Sequence, residues 1–365
     1  MLDNRIYGLD VLRAFSMLLG TLIHAPVILH MKNAGAIFGV SPSDIPDAGL
    51  MISLTIGWIH YWRMPAFFLL AGFFGTTLMA KRGPLGFAIN RATKILITFF
   101  IFLMAYNAVF KALSLELFHL WFLYYLGLMY FLHIAYEFFY KGLQARKCLD
   151  SEKPRLNISI LWLLCFVFVT SLFSINDFYT RKFPEIFGQF ELLPFAHYFS
   201  WYFLGVWLFY NINFLDILRK KNVIKILAIL TFIILVAQCL ILIFGDREVI
   251  AWRISYIIGF SIMALASTFL SLSIVLYFSF IKSKLVEYFV SVSYSYYLLH
   301  LFPALALGAL FLSWGMSILS MVIMNILLIP IITLLMNCIF VKYTPLSWLI
   351  NGYDKSLWKP FKTKH

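Results

Sequence analysis

The chain has 365 residues, of which 62% are hydrophobic and 12% are charged, and its formal net charge is +13. A soluble globular domain is about half apolar and about a quarter charged, so this composition excludes a soluble protein and indicates an integral membrane protein. The four cysteines have no paired spacing, and they predict neither a disulfide framework nor a zinc site.

Ten apolar windows are long enough to cross a bilayer, which takes about 20 residues of helix. They span residues 8–30, 50–80, 88–110, 117–140, 158–176, 194–212, 222–245, 251–280, 288–311 and 314–341. We therefore expect an all-α polytopic membrane protein with about ten transmembrane helices. One transmembrane domain is predicted over residues 1–345, followed by a short basic cytoplasmic tail at 346–365.

The basic residues of the connecting segments predict the orientation. If the N-terminus is cytoplasmic, the inside segments hold 21 lysines and arginines and the outside segments hold 6. This bias places both termini in the cytoplasm. It also explains the positive net charge, because basic residues at the cytoplasmic ends of the helices interact with anionic lipid. The lipid bilayer is therefore an expected partner, and nucleic acid is not.

Two basic residues remain inside predicted spans, Arg13 and Arg63. A buried arginine costs at least about 2.5 kcal/mol in a membrane and usually marks a functional site. In the first window, Asp10 lies three residues before Arg13, close enough for an ion pair. His24 lies about 20° around the helix from Arg13 and about 16 Å further along it. The first window therefore carries one polar stripe, which must face the protein interior or a cavity.

The second window contains "HYWRMPAFFLLAG", in which His60 and Arg63 are three residues apart and Pro65 follows. A proline at this place can bend a membrane helix. The third window opens with Arg91 and Lys94, a basic pair suited to the phosphates of a cytoplasmic ligand.

Five further histidines need interpretation. His119 in "FHLWFLYYL" lies near the predicted outer face, and His300 in "SYSYYLLHLF" lies near the middle of the membrane. His30, His133 and His197 lie near predicted span ends, where an interfacial histidine needs no functional explanation. No serine or cysteine nucleophile motif accompanies the histidines, and no metal site is expected.

Several of these charged residues also have an interpretation that requires no function in binding or catalysis. Lys81 and Arg82 fit lipid anchors better than ligands, whereas Arg91 and Lys94 fit either role about equally. Asp10 could serve only to neutralise Arg13.

A histidine in a membrane cavity suits general-base chemistry, such as removing the proton of a hydroxyl that attacks an acyl thioester. The arginines could then hold a carboxylate or a phosphate. The same acid, arginine and histidine also suit the relay of a proton-coupled transporter. A structural partner in an envelope complex is a third possibility, and the residues alone leave all three open.

Five stretches occur in an order that resembles the acyltransferase-3 family of bacterial membrane proteins. They are "YGLDVLRAFSMLLGTLIH", "WRMPAFFLLAGFF", "FHLWFLYYLG", "ELLPFAHYFSWYFLGVWLFY" and "SYSYYLLHLF", and together they span about 300 residues. Within the family, the chain resembles members that succinylate osmoregulated periplasmic glucans.

The resemblance implies an acyltransferase of the bacterial inner membrane with about ten helices. Its donor would be cytoplasmic acyl-CoA, either succinyl-CoA or acetyl-CoA, with no permanently bound cofactor. Its acceptor would be a hydroxyl of periplasmic glucan. O-acetylation of another envelope polysaccharide and transport of an acyl or glycan intermediate are the alternatives.

The resemblance also implies residue roles. His24 would be the essential histidine, with Arg13 as its motif partner and Asp10 beside it. Arg91 and Lys94 would bind acyl-CoA, although relatives often carry a second arginine at the position of Lys94. The expected substrate-binding residues are Arg63, His60, His119 and His300.

Overall fold

The computed structural model describes residues 7–110, 114–147, 159–174, 184–246, 248–278 and 283–351. Within these ranges, eleven α-helices have thirteen residues or more, and shorter helical turns join some of them. They are α1 (Tyr7–His24), α2 (Leu50–Arg91), α3 (Thr98–Phe110), α4 (Trp121–Lys147), α5 (Ile160–Ser174), α6 (Leu192–Tyr210), α7 (Lys221–Phe244), α8 (Ile250–Phe278), α9 (Lys284–Leu299), α10 (Leu301–Ser313) and α11 (Ile318–Met336). The predicted all-α class is confirmed for the described residues.

Six helical segments in the described ranges are long and apolar enough to cross a membrane. They are Met51–Phe110, Phe118–Phe139, Leu192–Tyr210, Lys221–Phe244, Ile250–Phe278 and Ile318–Lys342. A seventh is added if the bent pair α9 and α10 counts as one span. A multi-pass membrane protein is therefore supported, whereas the count of ten and the side of each terminus stay predictions.

The differences from the ten windows have physical causes. The second and third windows lie in one helical run of 60 residues, Met51–Phe110. The first window corresponds to α1, whose apolar character is lowered by Asp10, Arg13 and His24. The fifth corresponds to α5, which is a shorter apolar helix.

Helix α7 buries polar side chains and exposes apolar ones, as expected of a helix that faces lipid. Its only buried side chains are polar, Thr231 and Gln238. Large apolar side chains of the same helix are exposed, among them Ile226, Phe232 and Phe244. A surface of this kind is stable in lipid, where apolar side chains meet an apolar solvent.

The helices form two compact units along the chain. The first unit comprises Met1–Leu12, Tyr61–Ile95 and Trp121–Ile281. The second comprises Arg13–His60, Leu96–Leu120 and Lys282–His365.

In the first unit, α2 and α6 cross closely at two glycines. A Cβ atom at Gly72 would overlap the carbonyl oxygen of Tyr202, and a Cβ atom at Gly205 would overlap the carbonyl oxygen of Leu69. Small residues let membrane helices approach to backbone contact. The crossing therefore requires glycine on both helices.

In the second unit, α9 and α10 meet at His300 with a bend of 59°. Pro303 explains the bend, because it has no N–H for the carbonyl of Leu299 and its ring clashes with that carbonyl. The ninth predicted window, 288–311, is thus two helices. In α2 the backbone leaves helical dihedral angles at Gly83 rather than at Pro65.

Replacing Gly72 with alanine tests the helix crossing in the first unit. The added methyl group must displace the backbone of α6, and overpacking of this kind costs about 1–3 kcal/mol. We expect the Gly72→Ala variant to have a lower thermal midpoint in detergent, measured by size-exclusion chromatography after heating. Gly49→Ala is the matched control, because a Cβ atom at Gly49 meets no atom within 4 Å. Equal midpoints for the two variants would contradict the close crossing.

Candidate active site

The second unit brings together three histidines, which we call the histidine cluster: His24 at the end of α1, His119 in the turn Phe118–Leu120, and His300 between α9 and α10. The ring centroids of His24 and His300 are 4.8 Å apart. His119 lies 5.4 Å from His300 and 6.3 Å from His24. His119 and His300 are buried, and His24 is half-buried.

One backbone carbonyl orients two rings of the cluster. The Nε2 atom of His119 lies 3.1 Å from the carbonyl oxygen of Tyr297, and the Nδ1 atom of His300 lies 2.7 Å from the same oxygen. Tyr297 is in the last turn of α9, where carbonyls have no donor within the helix. A carbonyl only accepts, so both nitrogens donate hydrogen. A neutral His300 ring therefore has its lone pair on Nε2, and a neutral His119 ring has it on Nδ1.

Tyr296 joins the cluster to α1. Its ring stacks on His300, with a centroid distance of 5.8 Å and an interplanar angle of 10°. Its hydroxyl forms a hydrogen bond with the hydroxyl of Thr21. Thr21 lies one turn before His24, so this bond holds α1 and α9 together beside the cluster.

Two tyrosines hold the turn that carries His119 and the end of α9 beside it. Tyr297 donates to the carbonyl oxygen of His119 over 2.6 Å. Tyr106 of α3 donates to the carbonyl oxygen of Leu298 over 2.8 Å, and its ring lies 5.1 Å from that of His119. Tyr106, Tyr296 and Tyr297 were not predicted as site residues, although the motif "SYSYYLLHLF" contains Tyr296 and Tyr297.

The end of α1 has its own partner. The Nδ2 atom of Asn325 in α11 donates to the carbonyl oxygen of Ala25 over 2.6 Å, directly after His24. Asn325 is fully buried. Sequence reasoning missed this residue, although a single asparagine in the apolar run "MVIMNILLIP" is a signal of an internal polar contact.

The polar and apolar side chains of α1 differ in burial. Asp10 is buried, Arg13 is half-buried, and the side chains of Phe15 and Leu22 are exposed. The polar stripe of α1 therefore faces the protein rather than lipid.

The arginine and histidine of the second window lie in different units. Arg63 is 3% exposed in the first unit, with its guanidinium carbon 5.3 Å from the centroid of the Phe67 ring. His60 is half-buried in the second unit.

The predicted donor-binding pair lies in the first unit. The guanidinium carbon of Arg91 is 5.4 Å from the ring centroid of Phe87 and 5.1 Å from that of Tyr130. Lys94 is half-buried in the π-helix Ala92–Ile97, which follows directly. Such π-helical turns are frequent at functional sites. Lys81 and Arg82 are exposed, as expected of lipid anchors.

Two histidines near predicted span ends, His133 and His197, are covered by the protein. His133 is buried, and its Nδ1 atom lies 2.7 Å from the hydroxyl oxygen of Tyr202. His197 is fully buried. Hydropathy windows locate the ends of spans but not the side chains that a neighbouring helix covers. His30, the third of these histidines, is exposed.

The histidine cluster can accept, hold and pass a proton, because imidazole does all three near neutral pH. Within the described ranges, no group of three or more His, Cys, Asp or Glu side chains is arranged to hold a metal ion. The arrangement supports acid–base chemistry on a substrate that reaches His24.

Residues 6–341 match the acyltransferase-3 family model, which is described as an acyltransferase domain. Neither the curated proteins nor the solved structures include a match to the chain. The family match covers the residues of both units that carry the histidine cluster and the basic pair.

Replacing Asn325 with leucine tests the anchor at the end of α1. The buried carbonyl of Ala25 would lose its donor, which costs about 1–3 kcal/mol. We expect Asn325→Leu to lower the thermal midpoint of the purified protein. Ser313→Ala is the control, because the hydroxyl of Ser313 is exposed and bonds to its own helix. An unchanged midpoint for Asn325→Leu would show that this hydrogen bond contributes nothing.

Proposed function

Because the chain belongs to the acyltransferase-3 family, we propose that it is a bacterial inner-membrane O-acyltransferase that uses cytoplasmic acyl-CoA. The acceptor is a hydroxyl of an extracytoplasmic carbohydrate. The family match supports a membrane acyltransferase in general, and the donor, acceptor and residue roles are our proposal. The observation that carries these roles is the position of His24 within a cluster of three histidines.

His24 is the general base. It removes the proton of the acceptor hydroxyl while the oxygen attacks the thioester carbonyl. The carbon–sulfur bond then breaks and releases CoA. The half-buried position of His24 suits this role, because the residue is packed beside His119 and His300 and is not fully enclosed.

Arg91 and Lys94 bind the phosphates of the donor. The rings of Phe87 and Tyr130 hold the guanidinium group of Arg91 in place through cation–π contacts. A planar guanidinium group can bind phosphate with two parallel hydrogen bonds, whereas Lys94 offers a point charge.

Arg63 is the residue that favours succinyl over acetyl. A succinyl group carries a free carboxylate, and a buried arginine is its natural partner. Arg13, with Asp10 beside it in sequence, orients the thioester. His60, His119 and His300 complete the substrate-binding set.

The five motifs occur in this chain in an order that resembles glucans biosynthesis protein C. That protein succinylates osmoregulated periplasmic glucans. We therefore propose periplasmic glucan as the acceptor and succinyl-CoA as the donor. Acetylation of another envelope polysaccharide is the alternative.

The test of the reaction is acyl transfer in proteoliposomes. Labelled succinyl-CoA and labelled acetyl-CoA are offered in parallel with periplasmic glucan, and the product is identified by mass spectrometry. We expect His24→Ala to reduce turnover at least about 100-fold, the lower limit of a general-base contribution. His30→Ala, at an exposed histidine, is the control.

Two results would contradict the proposal. Normal transfer by His24→Ala would remove the general-base role from this residue. Wild-type protein that moves substrate across vesicles without making acylated glycan would instead be a carrier.

Replacing Arg91 with alanine tests the donor site. A charge-assisted hydrogen bond contributes about 1.5–3 kcal/mol, so we expect the KM for acyl-CoA to rise by roughly 10- to 100-fold. The KM for the acceptor should change little. Arg82→Ala is the control, because Arg82 is exposed. An unchanged donor KM in Arg91→Ala would return this residue to the group of lipid anchors.

A further inference from the structure

We propose that His300 is a second proton-transfer residue that works with His24 as one unit. This inference rests on the proposed acyl transfer and changes the role of His300 from substrate binding to proton transfer. The cluster geometry supports it, since His300 has the ring closest to His24 among the three histidines, at 4.8 Å.

The hydrogen bond of His300 decides which of its nitrogens exchanges a proton. Nδ1 donates to the carbonyl oxygen of Tyr297 over 2.7 Å. The nitrogen that gains and loses a proton is therefore Nε2. The acceptor is a backbone atom in the last turn of α9, so the ring is oriented by the main chain.

Two further contacts, both made by Tyr296, fix the position of His300 relative to His24. The stacked ring of Tyr296 restricts the plane of the His300 ring. The hydroxyl of Tyr296 meets that of Thr21, which is on α1 three residues before His24. A shift of α1 relative to α9 would break this hydrogen bond.

The reaction needs both a proton acceptor and a proton donor. Transfer from a thioester to a hydroxyl breaks an O–H bond and a C–S bond and forms a C–O bond and an S–H bond. His24 takes the hydroxyl proton and passes it to Nε2 of His300. His300 gives it to the sulfur as the C–S bond breaks. Both rings end in their starting states, and no further reactant is required.

His119 has a different part. Its Nε2 atom donates to the same carbonyl oxygen, and its ring is 6.3 Å from His24. Its place against Tyr297 and Tyr106 also keeps the turn Phe118–Leu120 against α9, beside its proposed part in substrate binding.

The experiment compares His300→Asn with wild type in the proteoliposome assay. Asparagine keeps a side-chain N–H near the position of Nδ1, so the carbonyl of Tyr297 can keep a donor, but it cannot titrate. We expect the variant to retain its elution volume and thermal midpoint and to lose about 100-fold in turnover. The KM values for donor and acceptor should stay unchanged. His30→Asn is the same substitution at an exposed histidine and should keep wild-type turnover.

The double variant His24→Ala with His300→Asn distinguishes a shared proton path from two separate effects. Residues that act as one unit are strongly non-additive, so the double variant should be no slower than His24→Ala alone. A loss equal to the product of the two single losses would overturn the relay. Wild-type turnover in His300→Asn would also overturn it.

If His300→Asn does not fold, His300→Gln provides the same comparison, because it places a non-titrating amide near the position of Nε2. Full turnover in that variant would overturn the inference. If the wild-type protein transfers acyl groups and the His300 variants have the same turnover, only this inference fails. The absence of acyl transfer by wild-type protein defeats the proposed function, and the inference fails with it.

Discussion

The carbonyl of Tyr297 is the constraint on which the second unit depends. In hydrocarbon, every backbone polar group must find a partner inside the protein. Pro303 has no N–H for the carbonyl of Leu299, and the helix bends at His300. In the same last turn of α9, the carbonyl of Tyr297 receives its donors from the side chains of His119 and His300. The interrupted helix and the orientation of two imidazoles thus meet at one turn of the backbone.

The end of α1 follows the same rule. The helix ends at His24, and the next carbonyl, that of Ala25, accepts from the buried side chain of Asn325. Helix ends inside the protein therefore gather polar side chains, while the lipid-facing surface of α7 exposes apolar ones. In a membrane protein, interrupted helices are where reactive groups can be held without contact with lipid.

Local properties of the sequence predicted much of the fold and the three histidines of the site, but not Tyr106, Tyr296, Tyr297 or Asn325. Hydropathy windows located the helices, and polar residues within those windows identified His24, His119 and His300 one by one. Their convergence could not be predicted, because it depends on packing between residues far apart in the chain. The break at His300 was not predicted; Pro303 is the residue that could have indicated it, but a proline alone does not say how far a helix bends. The burial of His133 and His197 was missed for the same reason, since windows carry no information about neighbouring helices.

The choice of a backbone carbonyl as the orienting group has a chemical consequence. In a serine hydrolase triad, a carboxylate fixes the histidine and also stabilises its imidazolium form. A carboxylate buried in a membrane is costly, and a neutral carbonyl holds a proton on the ring less strongly. A ring oriented in this way is suited to passing a proton onward. No side-chain substitution can remove this acceptor, because it belongs to the backbone at Tyr297.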